Sequence, residues 1–129
     1  MAQDKKLHTI LLIDDDHFLL NMYSIKFKAS GFEVTVVTGA EEALSKFNEG
    51  YKPDVVMLDV VMPGMDGIDL LEKIRKDKLI PQAKIIMLTN QSQSHDIEKA
   101  KSLNVAGYIV KATTIPSEVV AETIRIIGN

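Results

Sequence analysis

Side chains that could take part in chemistry follow four predicted strands of this chain. Three aspartates at 14–16 follow the apolar run HTILLI, and Asp59 follows VVML. Thr89 follows KIIML, and Lys111 follows GYIV. In open α/β sheets, ligands bind beyond the carboxyl ends of the strands. The sequence therefore predicts a cluster of carboxylates, one hydroxyl and one ammonium at one edge of a sheet.

Asp59 ends a strand that we expect to be buried on both faces. The run 55–58 is apolar throughout, and a loop rich in Pro and Gly follows at 62–67. A carboxylate that leaves water without a partner costs free energy. Asp59 therefore either has a cationic partner or reaches solvent at the edge of the sheet.

Each of these residues has an ordinary structural explanation when it is taken alone. An acidic run before a helix, as at 14–16, most often caps the helix and complements its dipole. Asp59 could be a turn residue, Thr89 a strand end and Lys111 a solvated charge. Their joint occurrence at four strand ends favours a functional cluster.

The types of side chain in this cluster suit Mg²⁺ and phosphoryl chemistry. Close carboxylates raise one another's pKa unless a cation lies among them, and Mg²⁺ prefers oxygen ligands. A metal ion, Lys111 and the Thr89 hydroxyl could share the charge of a phosphoryl group. Aspartate is a recognised covalent acceptor of such groups, so Asp59 is the candidate nucleophile.

The composition is that of a single globular domain. The chain has 129 residues, 46% of them hydrophobic and 26% charged, and a net charge of −3. Mixed charges give no sign of nucleic-acid or membrane binding, and the absence of cysteine excludes disulfides and thiol catalysis. No apolar run approaches the ~20 residues of a membrane span, and the start lacks the apolar segment of a signal peptide. We expect a short polar tail at 1–7, one domain at 8–129 and a cytoplasmic location.

Strands and helices are predicted to alternate along the whole chain. The patterns predict strands at 8–13, 34–37, 55–58, 84–88 and 107–110, and helices at 17–29, 38–50, 67–76, 94–104 and from 116 onward. In the first helix, apolar residues recur at Phe18, Met22, Ile25 and Ala29. Thr38-x-x-Glu41 has the form of a capping box for the second helix. Strict alternation predicts a doubly wound parallel sheet with helices on both faces.

Four motifs resemble the response-regulator receiver domain of two-component signalling. They are ILLIDDD at 10–16, LD at 58–59 with MPGMDG at 62–67, LT at 88–89 and AGYIVK at 106–111. The resemblance covers roughly residues 8–127. It implies a flavodoxin-like α/β fold, with a five-stranded parallel sheet in the order 2-1-3-4-5 and five helices in an αβα sandwich.

The resemblance also implies a role for each matching residue. Asp59 matches the phosphoacceptor, Thr89 and Lys111 match the residues that bind the phosphoryl group, and Tyr108 with Thr89 matches the switch pair. The implied ligands of Mg²⁺ are Asp14, Asp15, Asp59 and the backbone carbonyl of Val61.

Partners follow from the same resemblance. The expected phosphodonor is a histidine kinase or phosphotransfer protein, and the expected output is an unidentified protein target that contacts helix four, strand five and helix five. Apart from its own aspartate phosphorylation and dephosphorylation, no enzymatic activity is expected. Direct binding to nucleic acid or membrane is not expected, and the chain would be a monomer or a phosphorylation-dependent dimer.

Two residues depart from the family pattern. Ala112 stands where the family usually has a cis proline, and a cis bond before another residue costs about 3 kcal/mol. We therefore expect a trans Lys111–Ala112 bond and a rearranged loop after it. Asn90 replaces a smaller residue, and we expect it to crowd Asp59 and slow phosphoryl exchange.

Three other functions fit parts of the pattern. A Mg²⁺-dependent aspartyl-phosphate hydrolase usually has a second acid two residues after the nucleophile, where this chain has Val61. In a flavodoxin-like FMN binder, the three acids at 14–16 would repel the phosphate. A pseudo-receiver that acts only as an interaction module stays open because of Asn90 and Ala112.

Overall fold

Five parallel strands form one sheet in the order β2-β1-β3-β4-β5. The strands are β1 (Thr9–Ile13), β2 (Glu33–Val37), β3 (Val55–Leu58), β4 (Lys84–Thr89) and β5 (Gly107–Val110). The computed structural model describes residues 8–89 and 94–128, without the side chains of Thr89, Ala112 and residues 94–96. The predicted tail at 1–7 and Asn90 lie outside the described residues. The predicted fold and strand order are confirmed.

Within the described part of the chain, five α-helices alternate with these strands. They are α1 (His17–Ala29), α2 (Ala40–Asn48), α3 (Gly67–Lys76), α4 (Ser94–Ser102) and α5 (Pro116–Ile127), and a short 3₁₀ helix (Lys111–Thr113) precedes α5. Among the described residues, no helix is long and apolar enough to cross a membrane.

The central strands place alternate residues in two separate apolar cores. Leu11, Val56 and Ile85 point into the core that α2 and α3 cover. Ile10, Met57 and Ile86 point into the core that α1 and α5 cover. Burial on both faces explains why these strands are continuous apolar runs, and it holds their carboxyl ends in fixed positions.

Helix α1 buries a different face from the one that the periodicity suggested. Leu20, Tyr23 and Phe27 are buried against the sheet, whereas Phe18 is 71% exposed and Ile25 is 58% exposed. The helix has two apolar stripes, and sequence periodicity does not distinguish them. The stripe with Tyr23 and Phe27 is the one that packs into the core covered by α1 and α5.

The predicted Thr38–Glu41 capping box is wrong by one residue. Gly39 is the N-cap of α2, in an extended conformation with φ −168°, and it has no side chain to cap the helix. Glu42, three residues after this N-cap, instead accepts hydrogen bonds from the Thr38 amide at 2.8 Å and the Thr38 hydroxyl at 2.9 Å. The Glu42 side chain thus bonds to Thr38, the residue before the N-cap, instead of to the N-cap itself.

Candidate functional site

The sheet register brings Asp14 and Asp59 together. Ile13 pairs with Leu58 in the parallel β1–β3 ladder, so the next residue of each strand emerges at the same edge. The Asp59 amide donates a hydrogen bond to the Ile13 carbonyl at 3.0 Å, which continues the ladder by one residue. The two carboxylates therefore start from adjacent, restrained backbone positions.

Three of the predicted acidic residues form one group. Carboxylate oxygens of Asp14, Asp15 and Asp59 lie within 4.8 Å of one another. Asp14 is 4% exposed and Asp59 is 7% exposed, whereas Asp15 is exposed. Asp16 has the structural role instead, because it is the N-cap of α1 and accepts the Leu19 amide at 3.1 Å.

Lys111 supplies the cation for this group. Its Nζ lies 2.5 Å from Asp14 Oδ2 and 3.6 Å from Asp59 Oδ2, and its side chain is 6% exposed. Burial lowers the pKa of Lys111, but the hydrogen bond to Asp14 and the charge of Asp59 oppose this effect and raise the pKa overall. Lys111 therefore stays protonated at neutral pH.

The Asp59 carboxyl is held in an environment that disfavours its charge. Burial and then the charge of Asp14 raise its pKa to about 6, although Lys111 and a hydrogen bond from the Val61 amide lower it. Asp59 therefore does not simply reach solvent. It is a buried carboxylate with a cationic partner that only partly compensates the loss of water and the nearby like charge.

The donor set fits Mg²⁺. Three carboxylates, two of them buried and crowded, offer hard oxygen ligands for an ion that needs few protein ligands and keeps several waters. The role of the Val61 carbonyl as a further ligand stays a prediction.

Gly67 supports the site from behind, in a way that its loop motif alone did not reveal. A Cβ at this position would lie 2.0 Å from the Asp59 carbonyl oxygen. The Gly67 amide also donates to the Val60 carbonyl at 2.8 Å, and Asp66 caps the same end of α3 by accepting the Asp69 amide at 2.9 Å. The start of α3 is thereby packed directly on the Asp59 backbone.

The predicted switch residues lie on the last two strands. Thr89 ends β4, opposite Val110, and Tyr108 lies opposite Met87. Tyr108 is half-buried and packs against the core that α2 and α3 cover. The movement of Thr89 and Tyr108 between two states stays a prediction.

The backbone after Lys111 agrees with one expectation. Residues 111–113 form a 3₁₀ helix, and the described residues contain no cis peptide bond. The expected trans Lys111–Ala112 bond is therefore confirmed.

Comparison with known families decides the classification of the chain. The sequence matches the response regulator receiver domain over residues 10–122. The chain belongs to this family. The resemblance read from the four motifs is confirmed.

Curated relatives of this receiver are longer response regulators. It is 34% identical over 118 residues to the DNA-binding response regulator MtrA of Mycolicibacterium smegmatis, covering 92% of this chain and 50% of MtrA. It is 33% identical over 102 residues to the transcriptional regulatory protein PhoP of Bacillus subtilis. This match covers 79% of this chain and 41% of PhoP. The receiver thus spans about half the length of these relatives or less.

Solved structures show the same fold. The chemotaxis response regulator CheY4 of Vibrio cholerae superimposes with a TM-score of 0.84 at 26% identity, covering 94% of this chain and 99% of CheY4. A CheY-like receiver domain protein of Methanospirillum hungatei superimposes with a TM-score of 0.84 at 28% identity, and the match covers 93% of each chain.

Proposed function

We propose that this receiver is a phosphorylation-activated switch in which Asp59 accepts a phosphoryl group from a histidine kinase or phosphotransfer protein. The observation that carries the proposal is the buried group of Asp14, Asp59 and Lys111 with exposed Asp15 beside it. Receiver domains of this family are signalling domains rather than enzymes for external substrates, and this assignment agrees with that class.

Phosphoryl transfer starts from the ionised Asp59 carboxylate. A carboxylate oxygen attacks phosphorus and an O–P bond forms, while the P–N bond of the donor phosphohistidine breaks with its electron pair going to the ring nitrogen. That nitrogen takes up a proton from water, so the donor leaves as neutral imidazole. Since the Asp59 pKa is about 6, most of this carboxylate is ionised at neutral pH despite its burial.

Asp14, Asp15, Asp59 and the Val61 carbonyl would hold Mg²⁺. Bound Mg²⁺ would supply positive charge that stabilises the transferred phosphoryl oxygens. Lys111, 3.6 Å from Asp59, supports the same charge from the chain itself.

The phosphorylated form has more hydrogen-bond acceptors at Asp59 than the free form. A phosphoryl group on Asp59 adds acceptor oxygens that the Lys111 ammonium and the Thr89 hydroxyl bind. Inward movement of Thr89 leaves space that Tyr108 fills, which changes the surface of α4, β5 and α5. Crystal structures with and without a phosphoryl mimic test this step, and identical Thr89 and Tyr108 rotamers would contradict it.

Exposed apolar side chains support docking of the donor protein at the same edge. Phe18 is 71% exposed, Val61 is 56% exposed and Ile115 is 60% exposed, and they follow β1, β3 and β5 respectively. We call these three side chains the apolar rim. Large apolar side chains left in water beside a reactive group favour a protein partner over a small substrate.

Binding to nucleic acid is not part of this proposal. The names of MtrA and PhoP attribute DNA binding or transcriptional regulation to proteins of at least twice the matched length. The expectation that nucleic acid is not bound therefore applies only to the receiver residues of this chain. Their net charge of −3 and mixed charges support that narrower expectation.

Mass spectrometry of the intact protein tests the proposal. Incubation with Mg²⁺ and acetyl phosphate should add one acid-stable, base-labile phosphoryl group, and Asp59→Asn should abolish it. Asp69→Asn is the matched control, because Asp69 is exposed in the first turn of α3. Labelling of Asp59→Asn to the wild-type level, or no labelling of the wild type, would overturn the proposal.

A further inference from the structure

Tyr23 lies directly beneath the acidic site. It belongs to the buried stripe of α1 and is 4% exposed. With Asp14 and Asp59 it lines a cavity of about 10 Å³, whose other walls are Leu12, Ile13, Leu20, Met57 and Leu88. This volume is at the lower limit of the space needed for one water molecule.

The phenol of Tyr23 is a neutral donor surrounded by the charges of the site. Burial raises its pKa, the charge of Lys111 lowers it, and the charges of Asp14, Asp16 and Asp59 raise it. Every charged group that acts on the phenol thus belongs to the acidic edge of the sheet.

Asp14 would lose one of its two hydrogen-bond donors when the site changes state. In this structure its Oδ2 accepts the Lys111 ammonium at 2.5 Å, and its Oδ1 accepts the Asp16 amide at 3.0 Å. A phosphoryl group on Asp59 would compete for Lys111. Asp14 is almost fully buried, and a buried carboxylate that loses a hydrogen bond pays the cost of its desolvation.

We propose that Tyr23 is a positioning residue of the site, whose hydroxyl donates to the Asp14 carboxylate when Lys111 turns to the phosphoryl group on Asp59. The shared cavity gives the hydroxyl a path to Asp14, directly or through one water molecule. Tyr23 thereby keeps Asp14 oriented while the lysine changes partner. This inference rests on the proposed function.

The chain offers a matched control for the experiment. Tyr51 has a buried hydroxyl without a hydrogen-bond partner among the described residues. It packs in the core that α2 and α3 cover, on the other side of the sheet from Tyr23. Tyr51→Phe therefore removes a comparable hydroxyl without touching the site, and Tyr23→Phe removes the proposed donor while keeping the ring.

Binding of beryllium fluoride with Mg²⁺, a phosphoryl mimic, measures the effect in the full chain. Intrinsic tyrosine fluorescence can follow it, because the chain has three tyrosines and no tryptophan. We expect Tyr23→Phe to weaken binding about two- to tenfold, the range for one hydrogen bond, and to reduce the fluorescence change. Tyr51→Phe should match the wild type in both readouts.

The possible failures are distinguishable. Wild-type binding and an unchanged fluorescence response in Tyr23→Phe would overturn the role of Tyr23 and leave the proposed function intact. A wild type that neither binds the mimic nor becomes phosphorylated overturns both. If Tyr23→Phe does not fold, the ¹³Cζ resonance of Tyr23 in the labelled wild type decides: a shift on adding the mimic supports the proposal, and an unchanged resonance overturns it.

Discussion

The ammonium of Lys111 lies nearer to Asp14, at 2.5 Å, than to Asp59, at 3.6 Å. The Lys111 ammonium therefore pairs more closely with Asp14, which is not the proposed phosphoacceptor. Phosphorylation of Asp59 would have to draw Lys111 away from an existing partner, which couples the state of one carboxylate to the hydrogen bonding of the other.

Lys111→Met should destabilise the metal-free protein. Removal of the cation leaves two buried carboxylates facing each other, and loss of one partner of a buried ion pair typically costs about 3 kcal/mol. Urea unfolding at pH 8 with a chelator measures the loss, and Mg²⁺ should restore part of it.

The matched control for that variant is Lys73→Met. Lys73 forms an exposed pair with Asp77 at 2.7 Å, so its removal should change the free energy of unfolding by less than about 1 kcal/mol. Equal losses in the two variants would show that Lys111 does not balance the buried charges.

Asp59→Asn should stabilise the metal-free protein at pH 7.5 but not at pH 4. The folded-state pKa of about 6 exceeds the ordinary aspartate pKa of 3.8, so the folded protein binds this proton more tightly than the unfolded chain. That contribution is present below pH 4 and is lost as the pH rises through 6. The free energy of unfolding of Asp59→Asn should therefore exceed that of the wild type by about 1–3 kcal/mol at pH 7.5.

Chemical denaturation between pH 4 and pH 8 measures this difference. Asp69→Asn serves as the control, since Asp69 is exposed on α3. A stabilisation of Asp59→Asn that does not depend on pH would contradict the electrostatic origin.

Phe18→Ala should impair phosphorylation by a protein donor but not by acetyl phosphate. Loss of a large apolar side chain from the apolar rim removes about 1.5–3 kcal/mol of burial in the docked complex, which corresponds to at least a tenfold lower kcat/KM. Steady-state labelling by a histidine kinase that phosphorylates the wild type measures it.

Ile25→Ala tests whether position or exposure matters. Ile25 is 58% exposed but lies two turns further along α1. Similar losses in both variants would place the docking surface along α1 rather than at the apolar rim.

Gly67→Ala should disrupt both stability and labelling. The added Cβ would lie 2.0 Å from the Asp59 carbonyl oxygen, so the backbone must shift, at a cost of about 1–3 kcal/mol or more. The midpoint of urea unfolding and the rate of acetyl phosphate labelling should both fall.

Gly39→Ala is the comparison at a glycine without such contacts. Nothing lies within 4 Å of a Cβ at Gly39, and its φ of −168° suits any residue. The free energy of unfolding of Gly39→Ala should remain within about 1 kcal/mol of the wild-type value. A similar effect at both glycines would show that the approach to Asp59 is not what Gly67 provides.

Much of the fold follows from strands that are buried on both faces. Continuous apolar runs such as Val55–Leu58 have few alternative assignments, and the strand ends then identify Asp14, Asp59 and Lys111 as neighbours. The rotation of α1 is different, because the helix is apolar on two sides and only packing selects between them. Tyr23 was missed for that reason: it has the pattern of a core residue, and no spacing indicates that it lines a cavity with Asp14 and Asp59.

The central strand β3 has a consequence for how a signal leaves this domain. It is hydrogen-bonded to β1 on one side and β4 on the other, and both faces are packed. The proposed phosphorylation would therefore occur at the end of a strand that is restrained on both sides. A response to that phosphorylation would then consist of changes in side chains and peripheral segments, while the central strands keep their positions.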